Sequence, residues 1–238
     1  SAPVLKKDGT YMAYSPYVRE MDFWFKYFEG VVIVCPSQYD KPLLKSSFKR
    51  QDIRLVSVNP ISIDRFLSGL KAIVYTPKIL VTIFFEMLSA DHIHLRCPGN
   101  MGLLGALVQI FFPHKPKTAK YAGNWKPGAR QPWSYRFQKW ILSNTYLTKN
   151  MQVLVYGDWP HQSKNIKPFF TATYTEADKK TLPQRKYDLP LRFLFVGSLV
   201  SGKRPFYALE LVNELISKGF PAELHFYGDG PQKELLLE

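Results

Sequence analysis

The sequence predicts an α/β protein that is built on parallel sheets with helices on both faces. Apolar, β-rich runs recur along the 238 residues, and helical patterns lie between them. Strands that alternate with helices are typical of βαβ units, whose strands run in parallel. The alternation stops in a polar stretch, residues 164–190, and starts again at Leu191. These observations predict two sheet units, of which the second is present only in part.

The predicted strands are seven apolar segments separated by helical patterns. They cover residues 31–34, 53–58, 91–95, 117–121, 151–156, 192–196 and 222–227. The first helix has a clear start, because Ser15 is suited to the N-cap and Pro16 to the first helical position. Its apolar stripe consists of Val18, Met21, Phe25 and Phe28. A later helix is predicted over residues 206–218.

The pattern divides the chain into three segments. Residues 1–165 are predicted to form an N-terminal domain, 166–190 an inter-domain crossing, and 191–238 the beginning of a second domain. The last segment has 48 residues, too few to close a core of its own, so we expect the chain to be cut short at its C-terminus. The N-terminus opens in a polar stretch, which we expect to be a loop without the usual first strand.

The composition favours an anionic partner. Lys and Arg number 32 against 19 acids, a formal charge of +13 that suits nucleotides, nucleic acid or an anionic membrane face. Cys35 and Cys97 form neither a disulfide framework nor a metal-ligand spacing, which indicates a reducing compartment. The longest apolar runs, such as 103–112, are about half of the roughly 20 residues of a spanning helix. We therefore expect a cytoplasmic protein, with a peripheral position on the inner face of the membrane left open.

A glycine-rich loop after the sixth predicted strand is the clearest candidate site. It reads Gly197-x-x-x-x-Gly202-Lys203-Arg204 and precedes a helix, an arrangement that usually holds phosphate. A P-loop NTPase needs Ser or Thr after the lysine to ligate magnesium, and Arg204 stands there instead. The loop is better suited to a diphosphate, which backbone N–H groups and the two cations would bind without a metal. A simple tight turn with a solvated basic pair is the other alternative.

The loop and its surroundings resemble a known family. The segment LRFLFVGSLVSGKRPFYALELVNELISKGFPAELHFYGDGPQKELL is similar to the start of the C-terminal domain of retaining glycosyltransferases of family 4. These enzymes have the GT-B fold, which consists of two Rossmann-like domains. The resemblance is strong over the last 48 residues and weaker over the preceding part of the chain. It implies a GT-B arrangement here, with the second Rossmann-like domain incomplete.

The resemblance also implies which residues bind the donor. Lys203 would contact the donor diphosphate, and Gly197 would let the donor approach the backbone. The family's usual arginine after this glycine is Ser198 here, so Arg204 would have to supply the charge from the other end of the loop. With the second glycine loop included, the implied donor-binding residues are Gly197, Ser198, Lys203, Arg204, Gly228 and Gly230.

One strand end of the N-terminal domain carries candidate acceptor-side residues, since open α/β sheets bind ligands at the carboxyl ends of their strands. The segment DHIHLRCPGN, residues 91–100, resembles a family motif in which Arg96 replaces a second histidine. Arg96 is suited to a phosphate or carboxylate, and Asn100 follows at the start of a helix. For His94, a core position with a bond to a neighbour is the favoured alternative to an acceptor-side role. The glycines that we expect to let this helix pack closely are Gly99, Gly102 and Gly105.

The next strand end, AKYAGNWKPG at residues 119–128, lacks the histidine that related enzymes often carry there. Asn124 is suited to hold a sugar by hydrogen bonding, and Trp125 by ring stacking. Simple packing is an equally good interpretation of Trp125.

A basic and aromatic stretch follows. Residues 92–157 contain nine Lys and Arg but no Asp or Glu. Within them, a helix of the kind that rests on an anionic bilayer is predicted from Trp133, Tyr135, Arg136, Phe137, Lys139 and Trp140. The alternative is that Phe137, Trp140 and Ile141 face the core while the charges are solvated. Single-stranded nucleic acid suits the same composition but ranks lower, because no nucleic-acid-binding module is recognisable.

Together with the resemblance, these features predict a glycosyltransferase. The family moves a sugar from a nucleotide-diphosphate donor with retention and without a metal, so we expect no cofactor and no metal site. The expected acceptor is a glycan or a lipid-linked molecule, in the synthesis of cell-surface polysaccharide. The family's acidic pair would lie beyond Glu238, so no catalytic residue can be named. A catalytically silent fragment or binding module, and then a P-loop-like NTPase, are the alternatives.

Overall fold

The computed structural model describes residues 3–38, 44–61, 66–169, 176–182, 184 and 187–237. The chain forms two compact units, Ser1–Glu176 and Ala177–Glu238. The boundary between the units falls in the polar stretch that interrupts the sequence pattern. Of the predicted crossing, residues 170–175, 183, 185 and 186 lie outside the described residues.

The first unit contains both helices and short strands. Its helices are α1 (Ser15–Trp24), α2 (Phe66–Ser89), α3 (Asn100–Val108) and α4 (Trp133–Ser143). Its strands are β1 (Leu5–Lys7), β2 (Thr10–Tyr14), β3 (Val31–Pro36), β4 (Lys45–Ser47), β5 (Ile53–Val58), β6 (Ile93–Cys97), β7 (Lys117–Tyr121), β8 (Met151–Val155) and β9 (Ile166–Pro168). The second unit contains β10 (Leu191–Val196), α5 (Pro205–Ser217), β11 (Ala222–Tyr227) and α6 (Lys233–Leu237).

Parallel strand pairs occur in both units, which confirms the predicted α/β class. The strands β6, β7, β8 and β9 form a parallel sheet in that order, and β3 pairs in parallel with β5. In the second unit, β10 pairs in parallel with β11. Each of the seven predicted strands is present, although the third begins at Ile93 rather than at Asp91. These sheets are consistent with Rossmann-like domains.

The sequence pattern does not predict four short strands of the described chain. β1 and β2 form an antiparallel hairpin that β4 extends, so the predicted N-terminal loop is wrong. Asp8 and Gly9 make the turn of this hairpin, with positive φ values of 49° and 78°. β9 lies at the start of the predicted crossing and pairs with β8. These strands have three to five residues and no long apolar run, so the pattern contains no signal for them.

Helix α1 begins where the sequence predicts, but its cap differs. Tyr14 is the N-cap and Ser15 lies inside the helix, so the predicted N-cap is wrong. The hydroxyl and the backbone N–H of Ser15 both donate to the carbonyl of Leu44, at 3.2 Å and 2.9 Å. The serine therefore fastens the helix to the segment that enters β4. Val18 and Met21 of the predicted stripe are buried.

The main core lies between the four-stranded sheet and a layer formed by α2, α3 and α4. Helix α3 contacts both α2 and α4, and all three helices contribute side chains to the same buried cluster. Along β6, Ile93, Leu95 and Cys97 point into this core and alternate with polar residues on the opposite face. A smaller cluster packs α1 against β2, β3 and β5. In the part of the chain that the structure describes, no helix is long and apolar enough to cross a membrane.

Two glycines let α3 approach the sheet closely, as their spacing predicts. A Cβ atom built on Gly102 would lie 2.5 Å from the carbonyl oxygen of Arg96, and one on Gly105 would lie 2.8 Å from Cδ2 of Leu95. Both distances are shorter than a van der Waals contact. A larger residue at either position would push the helix away from β6.

Replacing Gly102 with alanine is expected to lower the free energy of unfolding by about 1–3 kcal/mol, the usual cost of overpacking. The loss should appear although alanine is the better helix former by about 1 kcal/mol. Urea unfolding followed by circular dichroism measures the difference. Gly30→Ala is the control, because nothing lies within 4 Å of a Cβ atom built there. Equal stability of the two variants would show that α3 has room to move.

Candidate functional site

The face of the four-stranded sheet opposite the main core carries a row of polar side chains near the carboxyl ends of its strands. β6 contributes His94 and Arg96, and β7 contributes Thr118 and Lys120. The strand register places His94 beside Thr118, and Arg96 beside Lys120. Because side chains alternate along a strand, these four residues share one face.

A buried carboxylate of α1 pairs with this row. Glu20 is 7% exposed, and its Oε2 accepts a hydrogen bond from Nη1 of Arg96. The guanidinium carbon of Arg96 also lies 5.3 Å from the ring centre of Tyr17. Among the described residues, Oε1 of Glu20 has no hydrogen-bond partner. Arg96, which the sequence predicts to bind a phosphate or a carboxylate, thus binds a carboxylate of its own chain.

Lys120 is the second cation of the row, and its side chain is buried. Its ammonium lies 4.0 Å from the ring centre of Phe169 and 4.3 Å from that of Tyr156. Burial lowers the pKa of Lys120 to about 8, while the negative charge of Glu20 raises it and the positive charge of Arg96 lowers it. We refer to Glu20, Arg96 and Lys120 as the Glu20 cluster. It carries one net positive charge when Lys120 is protonated.

Glu20 and Lys120 do not follow from the sequence analysis. Glu20 stands next to the buried stripe of α1, which is the available signal that a charged side chain faces inward. Lys120 lies between Ala119 and Tyr121 in a predicted strand, a weaker signal of the same kind. Neither position indicates its partner, because Glu20 and Arg96 are 76 residues apart.

His94 is packed beside the Glu20 cluster. Its Nδ1 forms a hydrogen bond with Oγ1 of Thr118 at 2.8 Å, and its ring centre lies 5.1 Å from that of Trp24. Burial lowers the pKa of His94 to about 3, and the charge of Arg96 contributes, so the imidazole is neutral at physiological pH. Its Nε2 has no hydrogen-bond partner in the described part of the chain. This is the placement of a core histidine with a bonded neighbour, and an acceptor-side role stays a prediction.

Asn100 and Gly99 connect the start of α3 to other segments. Nδ2 of Asn100 donates to the carbonyl of Ile61, beyond β5, at 2.8 Å. The backbone N–H of Gly99 donates to Oε1 of Gln138 on α4 at 3.3 Å. The side-chain amide of Asn100 therefore joins the start of α3 to the segment after β5, and contact with an acceptor stays a prediction.

The loop after β7 places Asn124 and Trp125 in different environments. Asn124 is exposed, and its Oδ1 accepts a hydrogen bond from the backbone N–H of Lys126 at 2.9 Å. Trp125 is 2% exposed, and its indole N–H donates to Gln162 at 2.7 Å. Its ring meets Tyr121 edge-on, with ring centres 4.8 Å apart. The indole has no open face on which a sugar would stack, so packing is the role of Trp125 that this structure shows.

Helix α4 exposes three of the four aromatic side chains that the sequence assigns to a membrane face, whereas Tyr135 is half-buried. Trp133, Phe137 and Trp140 are exposed, and the rings of the last two stack with centres 5.8 Å apart. Ile141 is buried. The alternative interpretation places Phe137, Trp140 and Ile141 in the core, and of these three only Ile141 faces it.

In the second unit, the glycine-rich loop after β10 is held against the loop after β11. The backbone N–H of Leu199 donates to the carbonyl of Asp229 at 2.9 Å. A Cβ atom on Gly228 would lie 1.8 Å from the carbonyl oxygen of Gly197, and one on Gly230 would lie 2.4 Å from that of Leu199. Gly228 and Gly230 are therefore required for the close contact of the two loops.

Lys203 and Arg204 lie where this loop enters α5. Both side chains are exposed, as is Ser198, and neither cation forms an ion pair with a described residue. Arg204 is the N-cap of α5 and has left-handed backbone angles, φ 55° and ψ 52°, which few residues other than glycine adopt. Two positive charges thus stand at the N-terminus of a 13-residue helix, whose backbone N–H groups also favour an anion.

The fold defines an α/β protein with Rossmann-like parallel sheets. No protein-family model matches the chain. In an alignment of 220 positions that covers 83% of the chain, the chain is 24% identical to Protein CapJ of Staphylococcus aureus. The match covers 54% of that protein, so the chain spans about half the length of this curated relative.

Glu20→Gln is expected to lower the free energy of unfolding by about 3–5 kcal/mol, because it leaves the half-buried Arg96 and the buried Lys120 without their counter-charge. Adding Arg96→Met to this variant removes one of those cations, and part of the loss should be recovered. Urea unfolding of both single variants and of the double variant measures the coupling between the two side chains. Strictly additive losses would show that Glu20 and Arg96 do not stabilise each other.

Proposed function

We propose that the chain is part of a GT-B glycosyltransferase that takes a sugar from a nucleotide-diphosphate donor. The observation that carries this proposal is the pair Lys203 and Arg204, exposed at the N-terminus of α5 and not engaged in ion pairs with described residues. The pair follows a glycine-rich loop whose backbone is held by the loop after β11. Charged side chains and backbone N–H groups at a helix start are suited to a diphosphate.

In this proposal the loop after β10 stabilises the leaving diphosphate. Negative charge builds on the diphosphate as its bond to the sugar breaks, and Lys203 and Arg204 would compensate that charge. Ser198 brings no charge, so the arginine at the other end of the loop takes on this role. Retention of configuration and independence from metal belong to the proposal through the family resemblance.

The first unit is proposed to bind the acceptor, a glycan or a lipid-linked molecule. The net positive Glu20 cluster lies near the carboxyl ends of β6 and β7, where open α/β sheets bind ligands. Asn124 is exposed at the end of the same strand β7. The similarity to Protein CapJ is consistent with a glycosyltransferase. Synthesis of cell-surface polysaccharide at the inner face of the membrane is the process that we propose.

An NTPase is less well supported by the loop. Arg204 stands where the metal-binding Ser or Thr of a P-loop is required. Pro205 follows it and has no backbone N–H for a phosphate.

Lys203→Ala is expected to weaken the binding of UDP or GDP about tenfold or more, since a hydrogen bond from a charged group contributes about 1.5–3 kcal/mol. The free energy of unfolding should change by less than about 0.5 kcal/mol, because the side chain is exposed. Isothermal titration with UDP, GDP and ATP, with and without magnesium, measures the binding. Urea unfolding measures the stability.

Lys218→Ala is the matched control, because it removes the same charge at the opposite end of α5. Its nucleotide binding should equal that of the unchanged protein. Equal binding by both variants would contradict the proposed role of Lys203. Magnesium-dependent binding and hydrolysis of ATP would favour the NTPase, and binding of nucleic acid with a steep salt dependence would favour a nucleic-acid-binding protein.

A further inference from the structure

The outward side of α2 is mostly apolar. Besides Pro77, Lys78 and Ser89, it exposes four large apolar side chains, Val74, Val81, Phe85 and Leu88. They are separated by seven, four and three residues, which places them on one stripe of the helix. The buried residues Ile79, Ile83 and Met87 lie on the opposite side of the same helix. The stripe therefore faces away from the core.

Helix α4 repeats this arrangement with aromatic side chains. Its outward stripe consists of Trp133, Arg136, Phe137 and Trp140, and its buried residues are Gln138, Ile141 and Leu142. Phe111, which follows α3 in the chain, is also exposed. Its ring centre lies 6.3 Å from that of Phe84 on α2. Because α2 and α4 bury their opposite sides in the same core, both stripes face outward from one layer. We call this surface the outer face.

The apolar side chains of the outer face are strongly exposed. Its apolar side chains on α2 and α4, with Phe111, are between 38% and 72% exposed. Exposed apolar side chains that line up along two helices mark a site of contact with another molecule, since scattered single residues would need no explanation.

With one exception, the charged residues of α2, α3 and α4 are cations. Glu86 is the single acid in the sequences of α2, α3 and α4, and Arg54 of β5 binds its carboxylate. Arg136 is exposed within the stripe of α4, and Lys78 is exposed within the stripe of α2. A chain with a formal charge of +13 repels a second copy of itself and is attracted by an anionic surface.

We propose that the outer face lies on an anionic lipid bilayer, with α2 and α4 in the plane of the membrane. The Trp and Phe side chains of α4 suit the interfacial region, where aromatic rings accumulate. The aliphatic stripe of α2 suits the boundary of the acyl chains, into which such helices insert their apolar side. The evidence for this membrane contact does not include the donor loop. The contact would also bring a lipid-linked acceptor to the first unit.

Flotation of the full chain with vesicles tests the proposal. Vesicles of phosphatidylcholine with about one third phosphatidylglycerol should bind the chain about fivefold or more tightly than phosphatidylcholine alone. One double variant, Val81→Ser with Phe85→Ser, changes α2, and another, Trp133→Ser with Trp140→Ser, changes α4. Each is expected to weaken binding to the mixed vesicles about tenfold or more, because two apolar side chains lose their burial. Phe23→Ser is the matched control, since Phe23 is an exposed aromatic residue of α1, outside this layer.

Three results would overturn the proposal. They are vesicle binding that persists in both double variants, binding that only the α4 variant weakens, and a concentration-dependent dimer in ultracentrifugation that both variants abolish. The last result would assign the outer face to a second copy of the chain. If a double variant loses its circular dichroism spectrum, Phe85→Ser and Trp140→Ser replace it, each with a smaller expected loss. Binding of UDP or GDP should be unchanged in every variant, so a failure here does not bear on the donor loop.

Discussion

The ion pair of Glu20 with Arg96 of β6, beside Lys120 of β7, is the interaction on which the first unit depends. Strand alternation sends Arg96 and Lys120 to one face at adjacent register positions, where like charges repel. A carboxylate from α1 offsets that repulsion, so α1 has to lie on this face. The same helix places Val18 and Met21 in the smaller buried cluster, where they pack with residues of β2, β3 and β5. An electrostatic requirement of the sheet thus positions a helix that is 76 residues away in the chain.

Stability alone does not explain the Glu20 cluster. Burial of charged groups costs several kcal/mol for each ion, by rough estimate, and apolar side chains of similar volume often stabilise a protein as well or better. The cluster lies near the carboxyl ends of parallel strands, the usual place for ligands in open sheets. In the described residues, Oε1 of Glu20 and Nε2 of His94 are buried without hydrogen-bond partners. These features favour a binding role, and for this reason we place the proposed acceptor on the polar face.

Apolar runs predict the strands of this protein well, because the strands of parallel sheets have nearly continuous apolar sequences. The runs VVIV and RFLFV identify β3 and β10, whereas β1, β4 and β9 have three residues each and lie at sheet edges. The site is less predictable. The alternation in DHIHLR shows that His94 and Arg96 share a face, but strand register alone brings Lys120 beside them. The burial of Trp125 likewise depends on Gln162, a distant partner that a single sequence does not reveal.

The acid-free stretch, residues 92–157, shows why net charge is an incomplete guide to a binding surface. Five of its nine cations are buried or half-buried and contact other groups of the first unit: Arg96, Lys115, Lys117, Lys120 and Lys139. Lys115 donates to the carbonyls of Leu88 and Ala90 at the end of α2, where the helix dipole favours a cation. Fewer charges therefore reach the surface than the composition indicates. Attraction to anionic lipid rests on this smaller number, so the apolar stripes of α2 and α4 have to supply most of the free energy of the proposed membrane contact.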